Sequence, residues 1–396
     1  MYTIQALFEG EALSQGVISP VVITNGRNDL DTAMTQFFCQ VTVFRKALQN
    51  LFTTAGKDIR FYGAGSTLDV QMKKTGGASF VTVFEGVITD TQSDKDTITF
   101  TAIDKDINTL ARTVSSYTGW SAPNYLDEYL WLLASNAGVT GWFDPTPPIL
   151  DSYYMRGPTT AAADKVKTAT AMANLSQDGY RSMTRINVPS KKASLGVGRN
   201  ILQGTGTTIL SLTDTLVDAN YDLRRDVSTV ANDILITKTD ALSVGTDSTA
   251  EDLTSQALID VMLYEADSYL DAQADRNARA DQELVKRSTF GWPLFVLRSS
   301  YDRISSQFTD EIDCYEKIVP CHVVDVSAIT EPYIETKAVV QQVTHYLSEK
   351  NWQMDLLLAN FYAVRLAQRW TDVTSSVTWA NAPSEMTWDM AKTIQI

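Results

Sequence analysis

The side chains able to do acid–base or nucleophilic chemistry are few and scattered. The chain has two histidines, His322 and His345, and three cysteines, Cys39, Cys314 and Cys321. Neither histidine lies beside a nucleophile pattern of the Gly-x-Ser-x-Gly type, and a Cys–His pair assembled by the fold stays open at this stage. Cys314, Cys321 and His322 form a poor zinc set: the spacing is not Cys-x-x-Cys, and a fourth ligand has to come from His345 or a carboxylate. The glycine-rich "GVGRN" and "QGTGTT" of residues 196–208 lack the Lys-Ser/Thr of a phosphate loop and read as a flexible connection. Asp127 and Glu128 fall on the polar side of an expected helix, where solvated charge is the default. The expectation is therefore no catalytic residue, no cofactor site and no metal site. Eight tryptophans in a chain that is 10% aromatic could line a sugar-stacking face, but most aromatics fall at strand or helix core positions.

Composition narrows the classes further. At 396 residues and 44% hydrophobic, the chain can bury two or three cores. Apolar clusters such as "YLWLLA" and "PLFVL" fall far below the roughly 18 residues of a membrane helix, and the N-terminus has no basic stretch followed by an apolar run. Neither a membrane segment nor a secretion signal is expected, and the cysteine usage points to synthesis in a reducing cytoplasm. A formal net charge of −14 argues against affinity for phosphate backbones.

The elements that would position any site read as follows. Residues 1–115 carry short β-type runs, "VISPVVITNG", "FFCQVTVF", "KDIRFYG", "TLDVQM", "FVTVFEGVIT" and "DTITFTAID", separated by turn residues. The period changes at "SAPNYLDEYLWLLASNAG", which predicts a helix started by Ser121 or Asn124 and ended by Gly138. Together with a Pro-rich segment and an Ala-rich helix, it makes residues 116–225 an inserted α+β domain. Strands resume at "VANDILITKT" and "ALIDVMLYEAD"; a charged helix follows over about 268–288, with Leu270, Ala274, Leu284 and Val285 inward. The second β region runs over 226–370. Residues 371–396, with Trp370, Trp379 and Trp388 evenly spaced, read with their preceding residue as an extended C-terminal strap.

One hairpin pattern occurs twice. "TVFEGVITDTQSDKDTITFTAID" (82–104) and "AVVQQVTHYLSEKNWQMDLLLAN" (338–360) align without a gap at an offset of 256, Val87 on Val343, Ile98 on Met354 and Phe100 on Leu356. The alignment predicts that the two hairpins are equivalent strand pairs of two barrels, with Val87 and Val343 both pointing into barrel cores.

The order "ISPVVITNGRNDLDTAMTQFFCQVTVFRK", "GKDIRFYG", "FEGVITDTQSDKDTITFTAIDKDINTLART", "NDILIT" and "QQVTHYLSEKNWQMDLLLA" resembles minor tail proteins of long-tailed bacteriophages, which look like the baseplate hub of contractile tails. The likeness spans about residues 15–365. It departs after Phe44, where "RKALQNLF" replaces a turn, and the chain carries no peptidase or fibre domain after the second hairpin. The resemblance implies a mainly β fold with α+β insertions, built on two split, tail-tube-like β-barrels at 1–115 and 226–370. It implies a non-enzymatic virion protein, a trimer at the tail tip whose six barrels adapt a six-fold tube to three-fold tip structures and leave a channel for DNA ejection. Its partners would be the distal tail or tail-tube ring protein, the tape measure protein, and tail fibre or tip proteins. A host-surface carbohydrate-binding tail protein is the alternative.

Overall fold

Strict alternation in "TITFTAID" buries Ile98, Phe100, Ala102 and Asp104 and leaves the threonines between them half-exposed, as a strand covered on one face requires. The same rule builds the whole architecture. The structure, a computed structural model, describes residues 2–112 apart from 14–15, 29–35, 57–62 and 75, and residues 208–360 apart from 219–221, 225–229, 240–242, 289–293, 321 and 331–336. Of 113–207 it describes 114–116, 124–125, 133, 136–139, 154–155, 165–167, 184–187 and 194–197. The strap at 371–396, the strand "KDIRFYG" before Gly63, the Ala-rich helix and the Asp127–Glu128 pair lie outside the described residues.

The N-terminal part contains β1 (Thr3–Phe8), β2 (Glu11–Leu13), β3 (Val17–Gly26), β4 (Gln36–Phe44), α1 (Arg45–Thr54), β5 (Thr67–Lys73), β6 (Val81–Ser93), β7 (Thr97–Asp104) and α2 (Lys105–Arg112). The middle contributes three short antiparallel pairs: β8 (Val114–Ser116) with β11 (Lys165–Lys167), β9 (Asn124–Tyr125) with β10 (Tyr154–Met155), and β12 (Thr184–Asn187) with β13 (Ser194–Val197). Asn124 is thus in a strand rather than at a helix start. Leu133 and Asn136 are helical and Gly138 has φ +86, which preserves the expected helix end; the rest of that helix lies outside the described residues.

The C-terminal part contains β14 (Thr208–Thr213), β15 (Asp222–Arg224), β16 (Asp233–Lys238), β17 (Ser248–Glu251), α3 (Leu253–Ile259), β18 (Leu263–Ser268), α4 (Gln273–Ser288), β19 (Leu294–Ser300), α5 (Tyr301–Ile304), α6 (Glu311–Lys317), β20 (Val323–Ala328), β21 (Lys337–Leu347) and β22 (Trp352–Asn360). Thirteen strands form one sheet, in the order β15-β19-β22-β21-β3-β4-β7-β6-β5-β1-β2, with β20 pairing β21 and β14 pairing β20. The fold is mainly β, and the path of this sheet is open.

The sheet contains one arrangement twice. In the first unit the spatial order is β3-β4-β7-β6-β5 and in the second β15-β19-β22-β21-β20, every neighbour antiparallel, with helix α1 before β5 and helices α5 and α6 before β20. Both hairpins carry a bulge in their first strand, at Thr89 between Ile88 and Asp90 and at Gln341 between Val340 and Gln342.

The bulges correct the gapless alignment. Ile88 pairs Ala102, 14 residues on, whereas Val340 pairs Leu358, 18 residues on. The second hairpin is longer by four residues beyond its bulge. The offset of 256 holds for the second strands, where Ile98, Phe100, Met354 and Leu356 are all buried, and fails for the first: Val343 is buried but Val87 is half-exposed. Hung on the bulges, Val340 corresponds to Ile88 and Val343 to the exposed Thr91.

Two more expectations change. "ALIDVMLYEAD" is not one strand: its first residues end α3 and the strand begins at Leu263. Leu270 is buried ahead of α4 and Leu284 packs on the small core as expected, yet Ala274 and Val285 point outward, and the buried residues of α4 are Asp275, Arg276, Arg279, Ala280, Gln282, Glu283 and Arg287. Arg276 donates to the carbonyls of Leu270, Asp271, Val244 and Thr246, and Arg279 to that of Asp267; the Arg287 guanidinium lies 3.5 Å from the Tyr264 ring centroid. Buried arginines that donate to carbonyls, with Ala280 and Leu284 beside them, take up much of what would usually be an apolar stripe. They fasten α4 over the three-stranded sheet β17-β16-β18 and its small core of Ala231, Ile234, Ile236, Ala250 and Ala280.

Candidate functional site: the seam between the repeated units

The described histidines are hydrogen-bonded within the fold and the described cysteines are buried. His345, on β21, is enclosed by Tyr315 and Trp352; the Trp352 indole Nε1 donates to His345 Nδ1 at 3.1 Å, which leaves the imidazole proton on Nε2. Burial pushes its pKa down to about 3, so the ring stays neutral. His322 Nδ1 donates to the Lys317 carbonyl at 2.7 Å. Cys39 and Cys314 are buried thiols whose pKa burial raises, and Cys321 lies outside the described residues. Among the described residues no three His, Cys, Asp or Glu side chains are grouped to hold a metal ion. The glycines of 196–208 other than Gly196, in β13, lie outside the described residues, as do all tryptophans except Trp352, which is core.

One perturbed carboxyl was missed by sequence reasoning. Asp104 ends β7, and its Oδ1 accepts from the backbone N–H groups of Asp106 and Ile107 at 2.9 and 3.0 Å, capping α2. Burial raises its pKa to about 7 despite those hydrogen bonds. An Asp closing a strand before a Lys-Asp-Ile-Asn-Thr-Leu helix was the available signal.

The feature on which the fold converges is the seam joining the units. β3 runs antiparallel to β21 from Val21 opposite Leu347 to Gly26 opposite Gln342, and Thr24 and Thr344 share a hydroxyl hydrogen bond at 3.1 Å. Along the same edge, β21 pairs β20 before the bulge, through Val339 and Val323. The bulge lets one edge serve two strands in succession. Gln341, wholly buried, is held there by Arg27: the backbone N–H of Arg27 donates to the Gln341 carbonyl at 2.9 Å and its Nε to Gln341 Oε1 at 2.8 Å. Gly26 makes this approach feasible, since at φ +131 a Cβ would sit 2.1 Å from the Gln341 carbonyl oxygen. The quoted "NGR" is the half of this clamp that the sequence displays.

Aromatic contacts add to the seam. Tyr2 packs edge-on against Trp352 and its hydroxyl donates to the Asn351 carbonyl, Tyr301 stacks on Trp352, and the buried Tyr315 hydroxyl donates to the Val83 carbonyl of β6. Lys74 and Asp310 form an ion pair across the same boundary at 2.9 Å. The arrangement is a packed joint, suited to fixing two strand units at one angle.

Comparison with known proteins bears on the fold as a whole. No protein-family model matches the chain, and no curated protein sequence matches it. Solved structures do. The tail protein from Neisseria meningitidis MC58 superposes with a TM-score of 0.59 at 12% identity, over 92% of this chain and 99% of that one. The 43 kDa tail protein of prophage MuSo2 from Shewanella oneidensis gives 0.58 at 11%, over 92% and 99%. Prophage tail protein gp18 from Listeria monocytogenes EGD-e gives 0.51 at 12%, over 90% and 94%. The chain has the fold of these phage tail proteins, in keeping with the resemblance carried by the order of its sequence motifs.

Proposed function

We propose that the chain is a structural component of a phage tail, acting at the tail tip as a hub ring that caps the tube. The observation that carries this reading is whole-chain likeness: at least nine-tenths of this chain superposes on nearly the full length of three tail proteins. The first unit and the second, which takes in β14 and β15 as well as β19–β22, serve as the two tube-type barrels, with the middle of the chain and β16–α4 as insertions. The chain has no enzymatic role in this reading, resides in the virion, and meets the tube, the tape measure protein and tip or fibre proteins.

The seam supplies the way copies join. In the second unit the edge of β21 beyond its bulge is covered by β3 of the first unit. The equivalent edge in the first unit is β6 beyond Thr89, and there Thr89, Asp90, Thr91, Gln92 and Ser93 are all exposed. β15 holds in the second unit the place that β3 holds in the first. Docking the β15 edge of one copy on this stretch of the next repeats the internal seam between copies, a head-to-tail contact that closes into a ring of three. A net charge of −14 suits a lumen that does not retain passing DNA.

Reconstruction of the tail tip from particles carrying this chain tests the proposal. Three copies in one ring at the distal end of the tube, with Thr89–Ser93 covered by a neighbour, are expected. Copies spread along the tube, or a tip whose ring leaves that stretch open, would overturn it.

A further inference from the structure

Among the described residues, α4 covers one face of the small sheet β17-β16-β18, and the opposite face is exposed along β18. Tyr264, Ala266, Ile234, Ile236 and Ala250 turn toward α4, so Leu263, Glu265 and Asp267 of β18 turn away, beside Leu235 and Asp233 of β16 and Glu251 of β17. Among the described residues β18 is one of the two edge strands of this sheet, the other being β17.

The helix leading into β18 has its polarity reversed. α3 buries Ser255 against the wholly buried Asn232, whose amide also donates to the Asp260 carbonyl and whose Oδ1 accepts from the Met262 N–H. Its apolar residues face solvent instead: Leu253 is 69% and Leu258 70% exposed, followed by Val261 at 61% and Leu263 at 59%. Half of the eight large exposed apolar residues found among the described residues thus lie within 253–263. Scattered exposed apolar residues need no explanation, but a run of this kind on a reversed helix marks a contact surface.

Charge specifies what covers it. Residues 239–275 contain nine Asp and Glu and no Lys or Arg. A second copy of this acidic chain is a poor electrostatic match for such a surface. We propose that the edge of β18, with the apolar shelf of Leu258, Val261 and Leu263 at its start, docks an extended segment of another protein. A strand added beside β18 places its side chains opposite Leu263, Glu265 and Asp267 on the open face, so it carries an apolar residue and then Lys or Arg at the next two alternate positions. This inference does not rest on the tail assignment, because it concerns only the isolated chain and a peptide.

The test uses fluorescent peptides, Thr-Leu-Thr-Lys-Thr-Lys-Thr and its reversed order, with Glu-for-Lys versions, titrated by anisotropy against the full chain. One Lys peptide is expected to bind, the Glu versions not to. Glu265→Lys with Asp267→Lys, and separately Leu258→Glu with Leu263→Glu, should each weaken binding by about tenfold or more. Asp94→Lys with Asp96→Lys, the same charge change on the exposed β6–β7 turn, should leave it unchanged. Equal loss in that control would mean attraction to bulk charge and overturn the proposal, as would binding that survives both β18 variants. Self-association of the chain in sedimentation, abolished by Leu258→Glu with Leu263→Glu, would make the occupant a second copy and overturn it likewise.

Discussion

Replacing Gly26 with alanine should open the seam, and the structure sets the size of the effect. The residue sits at φ +131, a region that residues with a Cβ occupy only under strain costing on the order of 1–3 kcal/mol. The new methyl would lie 2.1 Å from the Gln341 carbonyl oxygen and 2.6 Å from Gln342 Cα, both backbone atoms of a bulge pinned on its far side by β22. Relief requires the bulge to move away, which breaks the 2.9 Å bond from the Arg27 N–H and leaves the buried Gln341 without that partner, a further loss of about 1–3 kcal/mol. The sum, about 2–6 kcal/mol, is a large part of the stability of one domain. Urea unfolding followed by tryptophan fluorescence measures it, because Trp352 lies at the seam. Gly10→Ala is the internal reference: Gly10 has φ +82 with nothing within 4 Å of the added methyl, so it bears only a left-handed penalty of about 1–2 kcal/mol. A Gly26→Ala loss no greater than that of Gly10→Ala would refute the clamp.

Three further outcomes follow from burial. Ile88→Asp and Val340→Asp, equivalent across the bulges and both fully buried, should each cost several kcal/mol by burying an unpaired charge, while Val87→Asp on the half-exposed face costs far less; comparable losses at Val87 and Val340 would sink the bulge-based equivalence. Asp104 has a folded-state pKa raised to about 7 by burial, so the folded state holds its proton more tightly than the unfolded one and stability falls as pH rises from about 4 to 7; Asp104→Asn, which keeps the capping oxygen, should remove that fall in denaturant midpoints, and an unchanged slope would contradict the assignment. His345 has the opposite sign: with its pKa lowered to about 3, protonation of the unfolded state below about pH 6.5 costs the folded state stability progressively down to about pH 3. With two histidines in the chain, nitrogen-resolved NMR should show the His345 ring neutral at pH 5, and a charged ring there would refute its enclosure by Trp352 and Tyr315.

The strands were legible because alternation reports burial on one face, and "TITFTAID" or "QFFCQVTVF" could hardly be read otherwise. What escaped reading are the places where that rule is locally suspended. A bulge shifts the inward face by one residue and no residue type announces it, so Thr89 and Gln341 passed as ordinary strand positions and the first strands were aligned four residues out. α4 escaped for a different reason: hydrophobic periodicity assumes that the inward face is apolar, and Arg276 and Arg279 turn inward because backbone carbonyls wait for them. "RKALQNLF" departs from the turn expected of the resemblance because it is the helix α1, with Leu48 and Phe52 one turn apart on its buried face. The seam was half legible, since "NGR" was visible but its partner Gln341 stands 314 residues away from Arg27.

The bulges also explain why a duplicated unit needs unlike side chains. Beyond the bulge the inward positions of β21 are Val343, His345 and Leu347, all buried once β3 is laid along that edge and Tyr2, Tyr301 and Tyr315 close around Trp352. The matching positions of β6 are Thr91 and Ser93, exposed in the single chain. An edge covered permanently within one chain can carry apolar residues at no risk; an edge left open until assembly has to stay polar, or it would pair with any strand it met. In the ring proposed above, connectivity is repeated while the residues beyond each bulge diverge according to whether the covering strand belongs to the same chain. Thr91→Val with Ser93→Leu, which would give β6 the apolar edge of β21, should leave the hairpin folded but make the isolated chain associate at concentrations where the parent is monodisperse. Light scattering decides it: a variant as monodisperse as the parent would mean that the open edge of β6 is not the counterpart of the covered edge of β21.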